Sequence, residues 1–443
     1  MSDLIKEVLM GKLFGTGTGS GGSSGGGGGS SSGVSPKEVN FYDYDGTCVY
    51  AYSVAEAQAL SALPAGPEHP GLVFQGWNWS LEGVKGLTRA MNIGAMYTTD
   101  DGTTRLYITL QEGRTSPMLG VGVNGTVTVD WGDGTEADVL TGTSVSSVKW
   151  TPNHAYAAPG DYVIRLTVEG EMGFTGSSST NQYACILRYA SGADARNRVY
   201  QNALQRVEIG SGVTSIGSYA FQGCYSLAFV TIPDGVTSIA TRAFNSCYSL
   251  AFVTIPDSVT SIGTHAFNGC NSLASLIIPD GMTSIASNTF QFCNSLASLT
   301  IPDSVTSIGS YAFQGCYSLA FVTIPDSVTS IGSYAFDSCN SLASLIIPDS
   351  VTSIGSSTFS SCNSLAFVTI PDSVTSIGSS TFSSCSGMAF YDFTACTAVP
   401  TLASTNAFNG IPADCIFLIP SALYDEWIAA TNWTTYADRC VAK

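Results

Sequence analysis

Leu227-Ala-Phe-Val-Thr-Ile-Pro-Asp-Gly-Val-Thr-Ser-Ile-Ala-Thr-Arg-Ala-Phe-Asn-Ser-Cys247 is one copy of a sentence that the second half of the chain repeats. Its closing cysteine returns every 23 residues, at Cys224, Cys247, Cys270, Cys293, Cys316, Cys339, Cys362 and Cys385. The positions that stay fixed between copies are Leu227, Ile232, Pro233, Ile239, Phe244 and Cys247 with their successors, and they are apolar. A unit this short cannot bury its own apolar face, so stacking on its neighbours is what closes the core. The pattern predicts a solenoid with a ridged parallel sheet along one side, a surface suited to holding a partner.

The wording of the repeat, Leu-x-x-Val-x-Ile running into Ile-Pro-Asp, then Ala-Phe-x-x-Cys before the next strand, resembles the leucine-rich repeats of the bacterial surface-antigen class. The resemblance covers about half the chain. In the strand, Leu, Val and Ile enter the core and the positions between them face out on a concave sheet. One outward column reads Phe229, Phe252, Ser275, Ser298, Phe321, Ser344 and Phe367. The next reads Thr231, Thr254, Ile277, Thr300, Thr323, Ile346 and Thr369. With strands ~4.8 Å apart, these columns form a patch of aromatic and small polar groups, and such patches commonly mark interaction surfaces. The candidate ligand-binding residues are therefore Phe229, Thr231, Phe252, Thr254, Ile277, Phe321, Thr323, Ile346 and Phe367. The plainer reading is that these side chains only cover the sheet for one another.

A third column, Tyr219, Arg242, His265, Asn288, Tyr311, Tyr334, Ser357 and Ser380, precedes Ala-Phe or Thr-Phe. It is expected near the convex side, solvent-exposed or forming a second contact surface through Tyr219, Arg242, His265, Tyr311 and Tyr334. The carboxylates after the fixed proline, from Asp234 to Asp372, form a ladder of like charge. Each is expected to accept a turn N–H from its own coil. No second carboxylate recurs nearby, which disfavours a row of Ca²⁺ ions. The repeat cysteines read as small buried hydrophobes, and three scattered histidines offer no Cys/His zinc site. The expectation is no metal and no cofactor.

Lys plus Arg number 16 against 33 Asp plus Glu, a net charge of −17. That balance excludes the basic stripe that nucleic acid requires. No stretch approaches the ~20 apolar residues of a membrane span. The N-terminus does not read as a signal peptide, because Asp3 and Glu7 interrupt a short apolar run.

Upstream of the repeats the chain reads as a string of modules. Residues 1–14 form an amphipathic stub, either a frayed start or an anchoring peptide, and residues 15–36 are a Gly/Ser-rich flexible linker. Residues 37–92 open with Val39-Asn-Phe-Tyr-Asp-Tyr-Asp-Gly-Thr-Cys-Val-Tyr-Ala-Tyr52, a hairpin around an Asp-Gly turn. With Pro70-Gly71 and Phe74-Gln-Gly-Trp77 this segment resembles the small β-grasp repeats of the internalin B type. Residues 54–63 read as an inserted short helix. Asp43-Tyr-Asp-Gly-Thr47 also matches the nucleophile loop of haloacid-dehalogenase-type phosphatases, but the alternating helix–strand pattern that such a site needs is missing. Residues 93–180 carry Thr126-Val-Thr-Val-Asp-Trp-Gly-Asp-Gly-Thr135, His154-Ala-Tyr156 and Pro159-Gly-Asp-Tyr-Val-Ile-Arg-Leu-Thr-Val168. They resemble the polycystic-kidney-disease (PKD) domain, an immunoglobulin-like β-sandwich used as a spacer. The solenoid is placed at 186–396 and a capping repeat with an N-capped helix at 397–443, closed by Trp427 and Trp433.

The fold expected is mainly β: a leucine-rich-repeat solenoid preceded by an immunoglobulin-like sandwich and a small β-grasp-like module. The function expected is a non-enzymatic adhesin or receptor-binding protein. Its partners would be a host or cell-surface protein or glycan, and a tail or surface structural protein through residues 1–14. The setting is a phage tail or a cell surface, with synthesis in the cytoplasm. The alternatives are a structural or decoration protein of a virion or surface assembly, and a bacterial or protist adhesin exported without a classical signal.

Overall fold

The computed structural model describes residues 34, 37–44, 47–87, 91–175, 185–189, 200 and 202–443. The anchoring peptide and the linker expected at 1–36 lie almost wholly outside them, as does the Asp45-Gly46 turn. The chain is mainly β, as its patterning requires.

The first module is a mixed four-stranded sheet. Strands β1 (Val39–Tyr42) and β2 (Cys48–Tyr52) form the expected antiparallel hairpin. Strand β4 (Met91–Thr99) lies parallel to β1 and antiparallel to β3 (Leu72–Trp77), giving the order β2-β1-β4-β3. Ser53 and Glu56 close a capping box on helix α1 (Val54–Gln58), which is why the inserted segment turns helical there. A second short helix, α2 (Leu81–Lys85), is capped by Ser80. Val39, Phe41, Trp77, Val84, Ile93, Ala95 and Tyr97 share a core of their own. The boundary expected at 92/93 cuts through β4. The module instead ends at the Asp100–Gly102 turn, because Met91, Ile93, Ala95 and Tyr97 alternate into the first core.

Residues from 104 onward are not a free-standing spacer. Strand β5 (Thr104–Leu110) pairs with β8 (Gly160–Phe174) on one side and with the first solenoid strand, β10 (Leu204–Glu208), on the other. Strand β8 also runs parallel to β11 (Val213–Ile216) of the first coil, and β6 (Pro117–Asp130) joins β8 to β7 (Asp138–Trp150). Val127, Val129, Ile164 and Leu166 point inward as the alternation demands, and their core is continuous with that of the solenoid. The Trp-Gly-Asp-Gly turn is held locally. Trp131 stacks on His154 at 4.4 Å, His154 Nε2 lies 2.8 Å from Asp133 Oδ2, and the Tyr156 hydroxyl donates to the Trp131 carbonyl.

Each coil then contributes two short strands in register with its neighbours. Phe229 pairs with Phe252, Phe252 with Ser275, and Ser238–Ile239 with Ser261–Ile262. Beneath them runs a ladder of buried rings from Phe221 through Phe382 to Phe408, with centroids 5.1–5.6 Å apart. The third side of the coil is bonded backbone to backbone, as in Phe221 N–H to Ala243 O and Phe244 N–H to Ala266 O. That arm puts Tyr219, Arg242, His265, Asn288, Tyr311, Tyr334, Ser357 and Ser380 in the left-handed region, with φ between 54° and 63°. From Tyr219 to Ser357, the strain this costs a residue with a Cβ is offset by the coil-to-coil bond its N–H makes.

The turn after each strand is closed by backbone, Val236 N–H to Pro233 O and its successors. Asp372 does not serve its own turn; it accepts the N–H and hydroxyl of Thr397 in the next coil. At the end, strand Ile416–Ile419 extends the concave sheet, and Trp427 and Trp433 are fully buried as expected. Helix α3 (Tyr424–Ala429) lacks the side-chain cap expected at its start, because a turn of 3₁₀ helix precedes it and Ser421 Oγ donates to Lys443 O.

Candidate functional site: the concave face

The two outward columns lie side by side on the concave sheet, as their spacing requires. Their surroundings differ along the stack. Over the first coils the first module sits on the face. Tyr44 meets the Phe229 ring edge-on at 5.3 Å, and Tyr42 lies 6.5 Å from Phe252. Phe252 is only 1% exposed, and Thr231, Thr254, Ser275 and Ile277 are buried with it. Gly94 of β4 makes the close approach: a methyl there would stand 3.1 Å from Ile277 Cδ1 and 3.2 Å from Thr254 Cγ2. The Arg206 guanidinium lies 5.2 Å from the Phe229 and Tyr107 ring centres and 5.6 Å from that of Tyr44, and it pairs with Glu208. At the lip of the interface, Trp79 Nε1 donates to Asp280 Oδ2 at 3.4 Å.

Asn78, Trp79, Met91 and Asn92 of the module, with Asp257, Ile277, Asp280 and Thr300 of the solenoid, line a cleft along this interface. Burial, then the neighbouring Asp280 and Asp234, pushes Asp257 up to about 6. Asn78 Oδ1 accepts the Gly94 N–H, while its Nδ2 and Thr254 Oγ1 are buried without hydrogen-bond partners.

Beyond Thr300 the face is open. Phe321 is 50% exposed and Ile346 is 78% exposed; Ser344 and Thr369 are exposed, and Thr323, Phe367 and Phe390 are half-buried. Phe367 stacks on Phe390 at 5.6 Å, which adds to the aromatic column a member that the broken repeat concealed. Of the candidate residues, Phe321, Thr323, Ile346 and Phe367 therefore form an accessible group. Phe229, Thr231, Phe252, Thr254 and Ile277 are the floor on which the module rests.

The second candidate surface is more self-contained. Tyr311 and Tyr334 stack at 4.7 Å, Arg242 lies over Tyr219, and both Tyr219 and His265 are half-buried. Asp43 is buried in a structural cluster, accepting the Tyr97 hydroxyl at 2.9 Å and lying 2.8 Å from His69 Nε2. Among the described residues no group of three or more His, Cys, Asp or Glu is placed to hold a metal ion, and no helix is long and apolar enough to cross a membrane.

The family model of the BspA-type leucine-rich repeat region matches residues 196–320 and 283–411, with six copies. Among solved structures, a leucine-rich cell surface protein from Faecalibacterium prausnitzii A2-165 is 27% identical, over 52% of this chain and 61% of that one, with a TM-score of 0.35. This chain thus spans less than two thirds of that relative. The leucine-rich repeat protein of T. pallidum is 35% identical over 37% of this chain and 74% of its own, with a TM-score of 0.31. The pneumococcal vaccine antigen PcpA is 17% identical over 53% and 66%, with a TM-score of 0.37. No curated protein matches the chain.

Proposed function

From a repeat region, residues 196–411, that matches the family model of the BspA-type leucine-rich repeat region, we propose a non-enzymatic binding protein displayed at a surface. Its ligand, a host or cell-surface protein or glycan, docks on the open half of the concave face around Phe321, Thr323, Ile346 and Phe367. One observation carries this reading. The pair of adjacent coils that receives Gly94 presents Phe252 and Thr254, then Ser275 and Ile277. Two coils in the open half present the same set, Phe321 and Thr323, then Ser344 and Ile346. In the covered half this set holds the module's surface, Tyr42 against Phe252 and Gly94 against Thr254 and Ile277. In the open half it faces solvent, and Ile346 is the most exposed large hydrophobic residue described.

The finer setting, a phage tail joined through residues 1–14, and its rivals, a decoration protein or an adhesin exported without a classical signal, all belong to this proposal. Immunogold labelling of the producing cells and of any particles they release separates them. The ligand site is tested by Phe321→Ser with Ile346→Thr, residues other copies already carry at these positions. Adhesion of the labelled chain to intact host cells should fall tenfold or more, since ~1.4 kcal/mol accounts for each decade. Unchanged adhesion by a folded double variant would move the site off this face.

A further inference from the structure

The repeat cysteines after the first share one arrangement. The thiols of Cys247, Cys270, Cys293, Cys316, Cys339, Cys362 and Cys385 each donate to the carbonyl of a phenylalanine 26 residues earlier, at 3.1–3.4 Å. Cys224 departs from it. Its sulfur faces that of Cys185 at 3.0 Å, closer than any of those contacts. Cys185 is 2% exposed and Cys224 fully buried.

Backbone pairing brings the two together. The Ile186 N–H donates to Ala220 O at 3.1 Å, and the Ile186 carbonyl accepts the Gly120 N–H at 2.8 Å. Strand β9 (Leu187–Tyr189) pairs with Pro117–Leu119 of β6 directly afterwards. Both cysteines are thus fixed by their flanking hydrogen bonds, and the sulfurs meet without a long side chain swinging in. A bonded pair sits ~2.0 Å apart, so closure needs a movement of about one ångström.

We infer that Cys185 and Cys224 form a disulfide when the chain folds in an oxidising compartment, while the other eleven cysteines stay thiols. The chemistry has a natural direction. The hydrogen bond from the Cys224 thiol holds Cys185 below the usual thiol range. Burial opposes this, and the N–H groups of Leu187 and Ile186 reinforce it. Burial pushes Cys224 well above that range. Cys185 is therefore the sulfur that reacts first as a thiolate.

The oxidant is an exchangeable disulfide, that of a small molecule or of a thiol oxidoreductase. The Cys185 thiolate attacks one of its sulfurs and expels the other as a thiolate, leaving a mixed disulfide on Cys185. Cys224 then loses its proton and attacks the Cys185 sulfur, releasing the second thiol. Two electrons and two protons leave the cysteine pair, and the oxidant ends as two thiols. Neither sulfur reaches solvent once the first coil is closed, so the exchange takes place while that coil assembles. The bond spans 39 residues of sequence and restricts the unfolded chain accordingly.

The test refolds the full chain in a buffer of glutathione disulfide and glutathione. Free thiols are then alkylated in denaturant and the peptides mapped by mass spectrometry. One linked pair containing Cys185 and Cys224 is expected, with the other cysteines alkylated and a higher thermal midpoint than the same chain in excess reductant. Cys185→Ala should leave Cys224 alkylated and abolish the dependence of the midpoint on reductant, with the β spectrum unchanged. Alkylation of both Cys185 and Cys224 in the folded wild-type chain, or a linkage of either to a different cysteine, would overturn the assignment.

Discussion

The covered and open halves of the concave face are made from one repeat and differ chiefly in what lies on them. Phe252 and Phe321 occupy the same column at equivalent positions of two coils, yet the first is sealed beneath Tyr42 and the second is half in water. Identical sequence context therefore gives a folding residue in one place and a surface residue in the other. The Phe/Ser variation along the column does not by itself mark phenylalanine as dispensable. Where the module rests, Phe229 and Phe252 have an intramolecular partner; at Phe321 and Phe367 the same ring has none from the module.

The largest separation between the halves should appear on substitution. Phe252→Ser removes a buried ring and should cost about 3 kcal/mol, whereas Phe321→Ser should stay within about 1 kcal/mol. Chemical denaturation of the two variants side by side reads this, and equal costs would mean that the module does not cover Phe252 in solution. Next comes Gly94→Leu, which drives a side chain into Ile277 and Thr254. Overpacking of this kind costs about 1–3 kcal/mol. Here it should be spent locally, raising hydrogen exchange at residues 229–231 and 252–254 and leaving 321–323 untouched.

A control sharpens the contrast, because the core beneath the face should not distinguish the halves. Burial raises the thiols of both Cys247 and Cys362 well above their ordinary range, and each donates to the preceding coil. Cys247→Ser and Cys362→Ser should therefore cost alike, about 1–3 kcal/mol. The smallest effect is electrostatic and confined to the covered half. Asp257 holds its proton up to about pH 6, against 3.8 for the ordinary group. A raised carboxyl disfavours the folded state progressively as pH rises between those values, and fully above the upper one. Asp257→Asn should accordingly stabilise the module contact above pH 6 and change nothing near pH 4. The gain is small, because the carboxylate keeps contact with screening solvent. Thermal midpoints across that pH range decide the sign.

Much of this was written in the repeat. A fixed 23-residue spacing forces in-register stacking, and the apolar columns Leu227, Ile232, Ile239 and Phe244 had only the interior to occupy. The C-terminal tryptophans were legible for the same reason, since an open stack leaves an apolar end that large rings must close. The cover over the first coils was not legible. Tyr42 and Tyr44 read as ordinary positions of a hairpin, and their partners, Phe252 and Phe229, lie far downstream with no periodicity linking the two. The boundary at 92/93 failed because β4 serves two neighbours at once, parallel and antiparallel, and local alternation does not reveal which core a strand joins. The role of Asp372 escaped because its partner, Thr397, belongs to a coil whose spacing has already broken.

The fit of Gly94 onto Ile277 and Thr254 also has a bearing on how the stack finds its alignment. Near-identical coils are interchangeable, so a chain that slipped by whole repeats would bury almost the same core. A second Thr–Ile step stands three coils further on, at Thr323 and Ile346, and would accept Gly94 equally well. The tie is broken one step earlier: the coil that meets Tyr44 carries Phe229 in the native alignment and Ser298 in the slipped one. The aromatic edge between Tyr44 and Phe229 thus works as a key that admits a single counting of the repeats, and a chain that lost or gained a coil between them would still fit it only at the same place.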